Sequence, residues 1–108
     1  MPTQPLLADA IPQLAHELEG LLAEQGEPEL AAQVRELRIM DRCRCGDDFC
    51  ATFYTQPKSE RMHGPRRSCI EVTPKQGMLI LDILDGKISG VEVLFRDEFR
   101  QQLDVILP

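Results

Sequence analysis

Residues 78–95 constrain the fold of this chain more than any other stretch. Met78-Leu79-Ile80-Leu81-Asp82-Ile83-Leu84, then Asp85-Gly86, then Lys87-Ile88-Ser89-Gly90-Val91-Glu92-Val93-Leu94-Phe95 reads as two strands around a two-residue type I′ turn. Asp-Gly supplies the two positive φ angles such a turn needs. The first strand is apolar on both faces, so it belongs inside a sheet and must be covered. Pairing Leu84 with Lys87 sets Ile83 opposite Ile88, Ile80 opposite Val91 and Met78 opposite Val93. The same register puts Leu81 opposite Gly90, where a missing side chain leaves room for a packed helix. Asp82 interrupts the apolar run, and Ser89, opposite it, is the expected hydrogen-bond partner.

Cover for that sheet is available at both ends of the chain. Leu7, Ile11, Leu14, Leu18 and Leu21 recur at alternating spacings of four and three, which places them on one helical face. Asp9 is a candidate N-cap, with Pro12 in the first turn, where its missing N–H does little harm. Gly26 followed by Glu27-Pro28 ends this helix and starts a shorter one with a stripe of Leu30, Val34 and Leu37. So short a turn predicts an antiparallel helical hairpin. At the other end, Asp97 is placed to cap a last helix that buries Phe99, Leu103 and Ile106.

Between the helices and the strong hairpin the period becomes two. Leu37, Ile39, Cys43 and Cys45 share one parity, as do Phe49, Ala51 and Phe53. Gly46-Asp47-Asp48 between the runs is turn chemistry, which predicts a second β-hairpin. Residues 56–68 are polar and without periodicity, a loop longer than most within compact domains. A strand over Cys69–Thr73 and a turn through Pro74-Lys75-Gln76-Gly77 lead into the strong hairpin. The expectation is one α+β domain over residues 1–108: an N-terminal helical hairpin, an antiparallel sheet of about five strands with helices on one face, and a C-terminal helix.

The chemistry in this chain is concentrated in its cysteines. Cys43, Cys45 and Cys50 fall within Arg42-Cys43-Arg44-Cys45-Gly46-Asp47-Asp48-Phe49-Cys50, and the fourth cysteine is Cys69. With Asp47-Asp48 at the hairpin tip, Cys45 faces Cys50 across the strands and Cys43 lies on the same face. Four thiols are the number a tetrahedral structural zinc needs, so Cys43, Cys45, Cys50 and Cys69 are the candidate metal ligands. Arg42 and Arg44 would offset the charge of the thiolates. One, four and eighteen intervening residues is not a usual zinc spacing, so inert buried thiols and a Cys45–Cys50 redox pair stand beside the metal reading.

Charge narrows the partners. The formal net charge is −6, which disfavours non-specific nucleic-acid binding. The basic side chains gather in the middle, with Lys58, Arg61, His63, Arg66 and Arg67 in the loop; without interleaved aromatic residues a solvated loop is the simpler reading. His16 lies off the apolar stripe of the first helix. Asp82, Asp85 and Glu92 form no acid–base constellation that sequence can show. No run of apolar residues is long enough to span a membrane, and the first residues lack the pattern of a signal peptide. A cytoplasmic location with reduced thiols is therefore expected.

Two blocks, Arg42-Cys-Arg-Cys-Gly-Asp-Asp-Phe-Cys-Ala-Thr-Phe-Tyr-Thr55 and Leu81-Asp-Ile-Leu-Asp-Gly-Lys-Ile-Ser-Gly-Val-Glu-Val-Leu-Phe-Arg-Asp-Glu-Phe-Arg100, resemble a small group of uncharacterised bacterial proteins. The resemblance covers about a third of the chain and implies a bacterial cytoplasmic protein. It carries no activity and no catalytic residue. Three function classes follow from the residues. The leading one is a non-enzymatic binding or interaction module with a protein partner and no cofactor. The others are a structural zinc domain built on the cysteines, and a thiol redox protein or enzyme.

Overall fold

A computed structural model describes residues 4–57 and 67–107. Lys58, Arg61, His63 and Arg66 of the expected loop lie outside the described residues, and Arg67 already belongs to a strand. The fold is α+β, with four α-helices and a five-stranded antiparallel sheet among the described residues. The helices are α1 (Leu7–Ala10), α2 (Pro12–Glu24), α3 (Pro28–Gln33) and α4 (Asp97–Ile106), with a 3-10 turn over Val34–Glu36. The strands are β1 (Asp41–Arg42), β2 (Phe53–Tyr54), β3 (Arg67–Val72), β4 (Met78–Leu84) and β5 (Lys87–Leu94), in the order β1-β2-β5-β4-β3.

The expected first helix is two. Ile11 takes φ −134° and ψ 70° between α1 and α2, because the residue before a proline is pushed out of the helical region. Pro12 then opens α2. Asp9 sits inside α1 and caps nothing. Leu7, Ile11, Leu14 and Leu18 are fully buried as the spacing predicts, but the next core position is Leu22, with Leu21 only partly covered. The helix then ends on Gly26 at φ +83°. The Glu27 N–H donates to Leu22 O at 2.9 Å and the Gly26 N–H to Ala23 O at 3.2 Å, a Schellman closure that only a left-handed residue permits cheaply. Pro28 starts α3, and Leu30, Val34 and Leu37 are buried.

The strong hairpin forms as expected at its turn. Asp85 has φ +52° and Gly86 +78°, and Leu84 pairs with Lys87 and Ile83 with Ile88. Beyond that the register departs from simple alternation. A bulge leaves Ser89 unpaired, so Asp82 faces Gly90, Leu81 faces Val91 and Leu79 faces Val93. The cause is parity. Ile88, Val91 and Val93 are all buried, and in an unbroken strand Ile88 would face away from the other two. The bulge brings all three to the helix-covered face, with Leu79, Leu81 and Ile83 of β4. Burying a Leu or Ile there contributes roughly 1.5–3 kcal/mol each. Gly90 consequently makes room for Asp82 and Tyr54, whose atoms would lie 3.2 Å from an added Cβ, and not for a helix. Ser89 donates to the Asp82 backbone oxygen at 3.1 Å, not to its carboxylate.

The Gly86 position is open, with nothing near an added Cβ, so a side chain there meets backbone strain alone. Gly86→Val should lower the free energy of unfolding by about 1–2 kcal/mol. An unchanged urea midpoint would show that the turn does not hold that geometry in solution.

Three polar clamps tie the helices to the sheet. Gln33 of α3 donates to Gly86 O at 2.8 Å and accepts from the Ile88 N–H at 2.9 Å. Arg42 of β1 reaches the Asp104 carboxylate and the Leu107 carbonyl at the end of α4. Arg96, before α4, is 6% exposed. It holds both oxygens of Glu17 on α2 at 2.7 and 2.9 Å, Glu98 at 3.1 Å and Gln76 O at 3.2 Å. Its guanidinium also lies 4.5 Å from the ring centre of Phe99. The bond to Glu17 leads the effects that raise its pKa. Glu17→Ala should cost about 1–2 kcal/mol, because Glu98 and Gln76 leave the buried charge partly satisfied; a loss below roughly 0.5 kcal/mol in denaturant titration would contradict that. The expected cap Asp97 makes no capping hydrogen bond, and Phe99 and Leu103 are buried as expected.

Candidate metal centre

The second hairpin is short but its register is the expected one. Asp41 pairs with Tyr54 and Arg42 with Phe53, and the Cys43 N–H extends the ladder to Thr52 O at 2.9 Å. Continued, this register sets Cys45 opposite Cys50. Ladder pairing stops there, and residues 43–50 instead form an irregular loop with Gly46 at φ +82°. Cys50 bridges to Leu94 at the end of β5. The parity that groups Ile39 with the cysteines fails. The Ile39 N–H donates to Pro5 O at 2.9 Å, so residues 38–39 pair with the N-terminal segment and Ile39 turns into the core. Ala51 and Phe53 are buried, but Phe49 is exposed and stacks on Phe95 with ring centres 5.1 Å apart.

The loop gathers three thiols. The Sγ atoms of Cys43, Cys45 and Cys50 all lie within 4.8 Å of one another. A tetrahedral zinc with about 2.3 Å metal–sulfur bonds sets its sulfurs roughly 3.8 Å apart, so a small contraction of the loop reaches that geometry. Cys45 is exposed, and Cys43 and Cys50 are half-buried. Two backbone amides aim at sulfur: the Asp47 N–H at Cys45 and the Thr52 N–H at Cys50, which also receives the Thr52 hydroxyl.

These donors divide the protons unequally. At Cys45 the Asp47 N–H favours ionisation, but hydrogen bonds to the Cys43 and Cys50 sulfurs outweigh it and push the pKa up to about 11. At Cys50 burial opposes ionisation, yet the Thr52 hydroxyl, the Thr52 N–H and the two neighbouring thiols together lower the pKa. The surroundings therefore favour the thiolate at Cys50 and disfavour it at Cys45, with neighbouring thiols donating to Cys50. A cation placed between the three sulfurs would displace the remaining protons.

Cys69 is not part of this cluster. It lies on β3, opposite Asp82, with β4 and β5 between it and β2. At about 4.8 Å per strand, three steps separate it from the β2 side by roughly 14 Å, far beyond what one metal can bridge. Its thiol is 3.4 Å from Asp82 Oδ1, and that bond, with burial and the Asp82 charge, raises its pKa. Burial and Asp82 likewise raise Glu92. Of the two arginines expected as counter-ions, Arg42 pairs with Asp104 and Arg44 lies 3.7 Å from Asp41. Thr52 was absent from the expected site, although any register that sets Cys45 opposite Cys50 also sets Cys43 opposite Thr52.

No helix among the described residues is long and apolar enough to cross a membrane. No protein-family model, curated protein or solved structure matches the chain, so the likeness to a bacterial group rests on its two sequence blocks alone.

Proposed function

We propose that this protein is a non-enzymatic metal-binding module whose 43–50 loop holds one zinc ion through the thiolates of Cys43, Cys45 and Cys50. The convergence of the three sulfurs within 4.8 Å carries this reading. A donor set of three thiolates suits a soft or borderline ion and is wrong for calcium or magnesium, which take oxygen. The non-enzymatic part is supported by Cys69, the one thiol elsewhere. Its bond to Asp82 keeps it protonated, the opposite of what a nucleophile needs.

Purified full-length protein should take up one zinc per chain. With zinc bound, three thiols should be protected from a thiol reagent and one, Cys69, should react. Four reactive thiols and no uptake on zinc titration would overturn the proposal. The lowered pKa of Cys50 beside Cys45 favours a second reading, a dithiol redox pair. Loss of two thiols on mild oxidation in a protein that takes no zinc would establish that one instead.

A further inference from the structure

The thiol cluster differs from a structural zinc site in where it stands. None of its cysteines belongs to the hydrophobic core, which closes through Leu18, Phe53, Leu81, Val91 and Phe99 without them. The three sulfurs converge on one irregular loop that lies outside that core. Among the described residues, no other His, Cys, Asp or Glu joins the group. The sulfur of Cys45 faces solvent at the tip of the loop. Three thiolates with an exposed Cys45 at the rim, and no fourth donor among the described residues, would leave a bound zinc one position for an outside ligand, the arrangement of sites that exchange a ligand and not of closed structural ones.

Resting on the reading that the triad binds zinc, we propose that the protein carries the ion exchangeably and hands it, by direct ligand exchange at this open position, to an acceptor bearing several thiolates. In the first step an acceptor thiolate forms a bond to zinc at the fourth position, displacing water. The Cys45 sulfur, the most exposed of the three, then leaves the metal and takes a proton from solvent. Two further acceptor thiolates displace Cys43 and Cys50 in the same way, and a fourth acceptor thiolate, or water, fills the remaining position on zinc. Zinc remains Zn(II) throughout and no electrons are transferred. Each acceptor thiol loses the proton that each thiol of this chain gains. The fold survives the cycle because the core does not include the site.

The test follows zinc leaving the loaded full-length protein in stopped flow, with a chromophoric chelator as the first acceptor and a synthetic four-cysteine peptide as the second. Direct exchange predicts a release rate that rises in proportion to acceptor concentration over at least about tenfold, faster with the peptide, and a far-UV circular dichroism spectrum unchanged by removal of the metal. A rate independent of acceptor concentration, or release coupled to unfolding, would leave zinc binding intact and overturn the carrier inference. A His63→Ala variant that releases zinc tenfold faster would also overturn it, because the fourth ligand would then come from this chain. Failure to load zinc at all would sink the underlying reading and this one with it.

Discussion

Gly77→Ala should destabilise the fold by about 2–4 kcal/mol, more than a single methyl group at most glycines. Two costs act together. Gly77 holds φ +69°, and an added Cβ would stand 2.5 Å from the Leu94 carbonyl oxygen and 2.8 Å from Cγ of Arg96. The left-handed conformation alone costs an alanine about 1 kcal/mol. The close approach cannot be relieved by a swinging side chain, because the carbonyl is backbone at the end of β5. Arg96 is held in place too, clamped on Glu17 and Glu98. The turn must therefore move, and it moves against the start of β4, whose Met78 pairs with Leu94. Thermal unfolding should shift down by roughly 10–25 °C for a domain of this size. Gly86→Ala is the control, since its φ is positive but its surroundings are empty. Equal losses for the two alanines would show that the contact with Leu94 is not rigid.

The difference between those glycines marks where sequence reading stopped. Both stand in recognisable turns, and turn chemistry is local, so Asp85-Gly86 and Pro74-Lys75-Gln76-Gly77 were both legible. What presses on Gly77 is a strand end and an arginine from seventeen and nineteen residues further on, which no local rule reports. The elements with strong periodicity were legible for the same reason: helical spacing at Leu7–Leu18, the stripe of Leu30, Val34 and Leu37, and the apolar β4. The misreadings came where a tertiary demand changed the period. Ile88 and Val91 have opposite parity yet both lie in the core, and the bulge at Ser89 is the only way one strand satisfies both. That signal was in the sequence, in the spacing Ile88-x-x-Val91-x-Val93. Ile39 shares the parity of the cysteines, but alternation breaks there because its backbone pairs with Pro5.

The site divides along the same line. A local turn on Asp47-Asp48 sets Cys45 opposite Cys50; the ladder in fact ends at Cys43–Thr52 and the turn closes one residue later, with the Cys50 N–H on Asp47 O at 3.3 Å, yet the sulfurs still come together. Cys69 offers the same chemistry as the other thiols, and only topology separates it: β3 is the far edge of the sheet, with β4 and β5 between it and β2, an order that sequence does not reveal. Thr52 went unnoticed because a threonine in a strand is ordinary, and its meaning depends on the sulfur beside it.

Replacing the triad residue by residue should therefore give a graded response that the four-cysteine alternative does not. Cys50→Ser should lower zinc affinity by at least about 100-fold, since a hydroxyl does not ionise near neutral pH and is a harder donor than sulfur. Cys50 is the sulfur whose charge the surroundings already favour, through the Thr52 hydroxyl and N–H. Thr52→Val removes that hydroxyl, leaves the shape and the N–H, and should weaken binding by about 10–100-fold, the range for a residue that orients a ligand. Proton competition runs in the same direction: the lowered pKa of Cys50 makes its proton easier for the metal to displace, and acid favours the thiol, so uptake weakens as pH falls. Thr52→Val removes one of the bonds that lower that pKa and should move the onset of binding to higher pH. Cys69→Ser should change affinity less than twofold, because its sulfur is engaged with Asp82 on the opposite edge of the sheet. Calorimetric zinc titration of the three variants beside the unaltered protein reads all of these. A Cys69→Ser loss as large as that of Cys50→Ser would bring the fourth thiol back to the metal and would mean that β3 does not sit, in solution, where the sheet order puts it.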